Sequence, residues 1–176
     1  MRRLEGKELL ACLRESIPDY YPLAKLQQRL PGRKLRAAAV HEAGHAVVAR
    51  HAGFPVLFVT IETGEMGGLT RTLVPHKGDP LLRGASIMAG RLAERIDAHT
   101  PPKGPLRLSG IDRANLDEVL TEKPASERPA MARAMQECAA DILAASWREV
   151  EALAAALLAE GTVAERQAAQ PAPQGR

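Results

Sequence analysis

The chain has 176 residues and a mass of 18.9 kDa, enough for one domain and a short appendage. Its 45% hydrophobic and 26% charged residues exclude a disordered chain, and 31 alanines beside only 3% aromatics point to a helical core packed with small side chains. A dispersed net charge of +3 argues against a nucleic-acid partner, and two cysteines without a CxxC exclude a disulfide scaffold or a thiolate zinc finger.

The longest apolar run, around Ala152 to Ala159, is about half of the ~18 residues a membrane span needs. The opening Met-Arg-Arg-Leu-Glu-Gly-Lys-Glu lacks the apolar stretch of a secretion signal, so the expected address is cytoplasmic. Neither a P-loop nor a dinucleotide-binding glycine pattern occurs.

Residues 1–35 read as a basic helical appendage. Leu4, Leu9, Leu10, Leu13 and Ile17 recur at helical spacing until Pro18, and a second short helix fits Pro22 to Leu30. Its cations Arg2, Arg3, Lys7 and Arg14 are read as a solubilising or docking face. A strong helix is expected from roughly Leu35 to His51, stopped by Gly53 and Pro55. The run Val56-Leu57-Phe58-Val59-Thr60-Ile61 is the clearest strand. Gly64, Gly67 and Gly68 interrupt it, and Leu69 to Val74 resumes as a hairpin or bulged edge before a loop from Pro75 to Pro80.

Leu81 to Ala98 forms the second strong helix, in which Gly84, Ala85, Ala89, Gly90 and Ala93 let another helix approach closely. An extended loop from Thr100 to Ser109 leads to a helix over about Asp112 to Leu120. Two Ala/Leu-rich segments follow, Pro129 to Leu158 and Val163 to Gln167, separated by Glu160-Gly161. The main domain covers residues 36–169, and residues 170–176 form a tail expected to be disordered. The expected fold class is mainly α (α+β), with a two- or three-stranded sheet.

The sharpest motif is His41-Glu42-Ala43-Gly44-His45, an HExxH string within a predicted helix. Histidines at i and i+4 share a face, so both imidazoles reach one metal ion, and zinc is the favoured ion. Glu42 lies beside that point as the general base. The flanking Ala46, Val47, Val48 and Ala49 bury the helix, and two histidines and a glutamate are costly there unless bound to something.

Val40-His41-Glu42-Ala43-Gly44-His45-Ala46-Val47-Val48 resembles the zinc-site helix of the FtsH-type ATP-dependent metalloprotease family. Two further blocks keep the family's order. Thr63-Gly64-Glu65-Met66-Gly67-Gly68-Leu69-Thr70 is similar to its R-G-x-A-L-G-Y-T, and Gly90-Arg91-Leu92-Ala93-Glu94-Arg95 to its G-R-A-A-E-E. The resemblance covers residues 36–169, the peptidase domain, and these residues hold no counterpart of the family's ATPase or membrane anchors. It implies a helical, zincin-like metallopeptidase domain with a sheet edge that holds substrate backbone by strand addition. Gly67, Gly68, Leu69 and Thr70 are the substrate-binding residues so implied; a tight turn or bulge is the other reading of the glycines.

The family takes its third zinc ligand from a T-G-A-x-x-D-L motif. Here Leu108-Ser109-Gly110-Ile111-Asp112-Arg113-Ala114-Asn115-Leu116 puts Ala114 in strict register, and alanine cannot bind a metal. A shortened turn brings in Asp112 and a lengthened one Asp117. Asp112, directly after the Ser-Gly turn, is preferred, its other role being a plain N-cap. Glu94 is not a ligand in the family and is read as a supporting or structural residue. His51, His76 and His99 are read as surface histidines, Arg91 as a solvated charge or a partner for a carboxylate near the site, and Cys138 as a small buried hydrophobe.

The activity implied is zinc-dependent hydrolysis of peptides or unfolded protein segments, independent of ATP unless a separate ATPase or adaptor chain supplies a motor. The alternative is a non-catalytic peptide- or protein-docking module that keeps the fold. Oligomeric state is not legible.

Overall fold

The computed structural model describes residues 11–12, 14–17, 19–63, 68–72, 78–99 and 106–164. The leucine run over residues 4–17 falls mostly outside them, as do Gly67, His76 and the tail. Ile17 is buried. Helix α1 (Leu23–Arg29) follows, anchored through the buried Leu26.

Helix α2 (Gly32–His51) starts three residues before the expected Leu35. Pro31 is its N-cap, with φ −58°, and its carbonyl accepts from Lys34 N–H at 2.8 Å and Leu35 N–H at 3.3 Å. The ring's fixed φ favours this entry. The helix ends in a Schellman motif: Gly53 N–H donates to the Arg50 carbonyl at 2.9 Å and Phe54 N–H to that of Ala49 at 2.8 Å. Gly53 adopts φ +76°, a conformation that strains other residues. Between these ends Ala39, Ala43, Ala46, Ala49, Val40, Val47 and Val48 are buried.

Strand β1 (Val56–Thr60) pairs antiparallel with β2 (Leu69–Thr72), with a register irregularity between Val56 and Phe58. Helix α3 (Pro80–Asp97) is capped by Asp79, whose carboxylate accepts from Leu81 N–H at 2.9 Å. It lies against α2 through its small residues. A Cβ built on Gly44 would stand 2.7 Å from the Ala93 Cβ and 2.9 Å from the Ala89 carbonyl oxygen. Helix α4 (Gly110–Thr121) packs on α3.

The Ala/Leu-rich stretch after Pro129 is two helices, α5 (Arg128–Ala145) and α6 (Trp147–Glu160), broken at Ser146. Ser146 closes the first with N–H to the Ile142 carbonyl, opens the second with its own carbonyl, and bonds its hydroxyl to His51 Nε2 at 2.9 Å. The bend lets α5 bury Met135, Ala139 and Leu143, while α6 buries Val150, Leu153, Ala154 and Leu157. Most α5 contacts are with α3 and most α6 contacts are with α2.

The segment expected from Val163 onward is strand β3 (Thr162–Ala164), which pairs antiparallel with β1. Gly161, at φ +77°, turns the chain out of α6, and its carbonyl accepts from Ile61 N–H at 2.9 Å. The β-branched Thr162 and Val163 then suit a pleated surface better than a helix. The molecule is thus mainly helical, with one three-stranded sheet in the order β2-β1-β3. Among the described residues, no helix is long and apolar enough to cross a membrane.

One buried carboxylate ties the sheet to the N-terminal segment. Glu62 accepts from Arg14 Nε at 2.9 Å, the Thr162 hydroxyl at 2.7 Å, Leu23 N–H at 3.0 Å and the Tyr20 hydroxyl at 3.3 Å. Four donors compensate a charge that would otherwise be costly to bury.

The α2–α3 contact leaves no space for a larger side chain. Gly44→Val is expected to cost about 1–3 kcal/mol through overpacking. Thermal unfolding should then move down by roughly 2–4 °C per kcal/mol.

Candidate metal centre

The HExxH residues occupy the middle of α2, and Gly44 of the α2–α3 contact is one of them. His41 and His45 point into the α2–α3 seam, with their Nε2 atoms 3.0 Å apart and their rings edge to face at 74°. Gly90 of α3 makes room for both imidazoles: a Cβ there would lie 2.7 Å from His41 Nε2.

The outer nitrogens fix the rings. His41 Nδ1 donates to Glu94 Oε1 at 2.6 Å, and His45 Nδ1 donates to the Ser86 carbonyl at 2.8 Å. A carbonyl can only accept, so His45 carries its proton on Nδ1 and turns a bare Nε2 inward. Glu94 orients His41 in the same way and is itself held by Arg91 Nη1 at 2.5 Å. Arg91 therefore pairs with a carboxylate of the site. Two acceptors behind two imidazoles form the outer support usual around metal-binding histidines.

Asp112 completes the group from α4. Its carboxylate lies 3.5 Å from His41 Nε2 and 3.7 Å from His45 Nε2. It does not cap the helix; Ser109 does. The Ser109 hydroxyl accepts from Asp112 N–H at 3.2 Å and donates to Asp112 Oδ2 at 2.7 Å, a capping-box arrangement that aims the carboxylate at the histidines. Asp117, one turn and a half further, pairs with Arg113 at 3.2 Å and is largely exposed. Among the described residues, His41, His45 and Asp112 are the one group of three whose ligand atoms converge, all within 4.8 Å of one another.

The spacing fits a small four-coordinate ion. Bonds of about 2.0–2.1 Å at tetrahedral angles put ligand atoms roughly 3.3–3.4 Å apart. The two Nε2 atoms are 3.0 Å apart, Asp112 brings Oδ2 to 3.5 Å from His41 and Oδ1 to 3.7 Å from His45, and one ligand atom from each residue lies within 4.8 Å of the others. Lone pairs this close repel one another unless a cation or a proton lies between them. Without a metal, the proton takes that place. Burial lowers the His41 pKa, but the Asp112 and Glu94 carboxylates and the Glu42 charge outweigh it and raise it to about 10. Burial raises the Asp112 pKa, but the His41 and His45 imidazoles and the Ser109 hydroxyl bring it below the usual carboxylate value.

Glu42 is 5% exposed and sits beneath β2. Burial raises its pKa, opposed by the two imidazoles and by Thr70. The Thr70 hydroxyl contacts Glu42 Oε2 at 2.8 Å and the Glu42 carbonyl at 3.0 Å. Gly68 lies against the same side chain: a Cβ there would fall 2.7 Å from Oε1. The structure thus turns Thr70 towards the buried glutamate. Strand β2 is at the sheet edge, so its far side pairs with no other strand among those described.

The remaining described histidines, His51 and His99, stay apart from the group. His51 bonds to Ser146 at the end of α2, and His99 is exposed at φ +52°. Cys138 is half-buried on α5. Sequence reasoning missed the Ser86 carbonyl, the Ser109 cap and the role of Gly90. Only Gly90 left a signal, since a glycine inside a helix is unfavourable without a reason.

No protein-family model matches the chain, and no curated protein does.

Two results are expected. Zinc bound by the wild-type chain, read by elemental analysis, should be lost in Asp112→Ala and kept in Asp117→Ala. Zinc must displace the proton that His41 holds below about pH 10. Zinc affinity should therefore rise about tenfold per pH unit across roughly pH 7 to 9, with one proton released per ion, as competition titrations would measure.

Proposed function

We propose that this chain is a zinc-dependent peptide hydrolase, with chemistry of the kind its FtsH-type sequence resemblance implies. The observation that carries the reading is the convergence of His41, His45 and Asp112 on one point, beside a buried carboxylate from the same helix turn. Three protein ligands leave a position open, as catalytic zinc sites do.

His41, His45 and Asp112 would hold the ion, and Glu94 and the Ser86 carbonyl would keep the rings turned towards it. When bound, zinc acidifies a water and stabilises negative charge on a carbonyl oxygen. Glu42 moves the proton: its carboxylate takes one from the attacking water and returns it to the departing amine nitrogen. Burial raises its pKa, which favours a group that must accept a proton as well as release one.

The edge of β2 would take extended peptide backbone, which favours peptides and unfolded segments over folded proteins. Gly68, Leu69 and Thr70 lie on or beside that edge; Gly67 is outside the described residues.

The test compares wild type with Glu42→Gln on unstructured fluorogenic peptides. Both should hold about one zinc per chain by the ligand count, and hydrolysis by the variant should fall about 10²- to 10⁴-fold. A wild type that takes up no zinc, or a variant that cleaves at the wild-type rate, overturns the proposal. Peptide binding without cleavage by zinc-loaded wild type points instead to a docking module.

A further inference from the structure

We infer that Thr70 is a positioning residue for Glu42, and that the sheet edge holds the proton carrier in place through it. This rests on the hydrolase reading and assigns Thr70 a part distinct from backbone docking.

The argument begins with what else could hold Glu42. Its helical neighbours Ala38, Ala39 and Ala46 offer no side-chain donor, and the flanking His41 and His45 engage their ring nitrogens with Glu94, Ser86 and each other. A glutamate has three side-chain torsions, and fixing it needs a hydrogen bond as well as packing. The described structure supplies both from β2. The Thr70 hydroxyl, placed between the Glu42 carbonyl and Oε2, binds both ends of the residue at 3.0 and 2.8 Å. Gly68 closes the opposite side, where a side chain would collide with the glutamate Cγ, Cδ and Oε1.

This clamp is a polar tie between β2 and α2. The hydroxyl acts on the two oxygens unequally. Oε2 has a donor from Thr70, while Oε1 lies against Gly68. The strand reaches Thr70 through its pairing with Val59 of β1, whose far side is β3. The proton carrier is therefore held by the sheet, while the metal ligands are held by the helices.

The two supports can be separated. Thr70→Val removes the hydroxyl at nearly constant volume and leaves His41, His45 and Asp112 untouched. Zinc affinity should stay within about twofold, because no metal-facing atom changes. The kcat on an unstructured peptide should fall about 10- to 100-fold, with KM changed by less than about threefold, as expected when a bond to a charged group is lost. Thr70→Ser restores the hydroxyl and should recover most of kcat. A hydroxamate that needs Glu42 to accept its proton gives a readout without turnover: it should bind zinc-loaded Thr70→Val about tenfold more weakly than wild type or Thr70→Ser.

Unchanged kcat and hydroxamate binding in Thr70→Val overturn the inference and leave the hydrolase reading standing. A Thr70→Ser protein as impaired as Thr70→Val, or one in which zinc affinity falls in step with kcat, overturns it in favour of a packing role. A wild type that takes up no zinc overturns both readings, and the zinc assay identifies that case before any variant is compared.

Discussion

Everything at the site depends on how closely α2 approaches α3. Gly44 faces Ala89 and Ala93, so the two backbones meet without intervening side chains. That proximity brings Ser86, Gly90 and Glu94 to the histidine face of α2. Larger residues at this seam would separate the helices, and the Nδ1 partners would move out of hydrogen-bond reach. The cost of glycine in two helix interiors is met by dense packing around them. The same seam excludes most water from His41 and His45, which makes their electrostatic interactions strong.

Three parts of the chain, far apart in sequence, supply the polar groups. Helix α2 brings the imidazoles and Glu42, α3 brings their outer partners, and α4 brings Asp112. Each contribution is fixed by a local rule. The i, i+4 spacing fixes the histidines, and the Ser109 cap fixes Asp112 three residues on. Arg91 and Glu94, at i, i+3 on α3, form a pair whose free oxygen reaches His41. The Asp112, Glu94 and Glu42 carboxylates all act on His41, and a cation would take the place of its proton.

Much of this was legible in the sequence, and the limits have physical causes. The HExxH spacing predicted a shared face, and the alanine-rich flanks predicted burial; both describe α2. The helix from Leu81 and the strand from Val56 were readable from periodicity and β-branching. The choice between Asp112 and Asp117 was not, because the length of the preceding turn decides it and local composition does not encode that length. The Ser146 break was hidden for a similar reason: serine is an ordinary helix residue until its hydroxyl finds a partner, here His51 some 95 residues away. Strand β3 reads in the sequence as the start of a second, short Ala/Leu-rich segment after Glu160-Gly161, because only its pairing with β1 makes it a strand. Residues 1–10 and 165–176 lie outside the described structure, and the sequence expectations for them stand as expectations.

The Glu62 hub implies an order of assembly. It joins Arg14, Tyr20 and Leu23 to Thr162, a partner 100 residues downstream, so its last contact forms only after α6 has been made. The α2–α3 seam and the β1–β2 hairpin join residues far closer in sequence and face a smaller loop-closure penalty. A ribosome would therefore release the histidine helix and its partner first, and the sheet would gain its third strand late. During that interval Glu62 has only its upstream donors, and the unpaired edge of β1 is open to any extended chain nearby. The protein is most prone to mispair at that stage of its synthesis, with the histidine helix already packed and the sheet still incomplete.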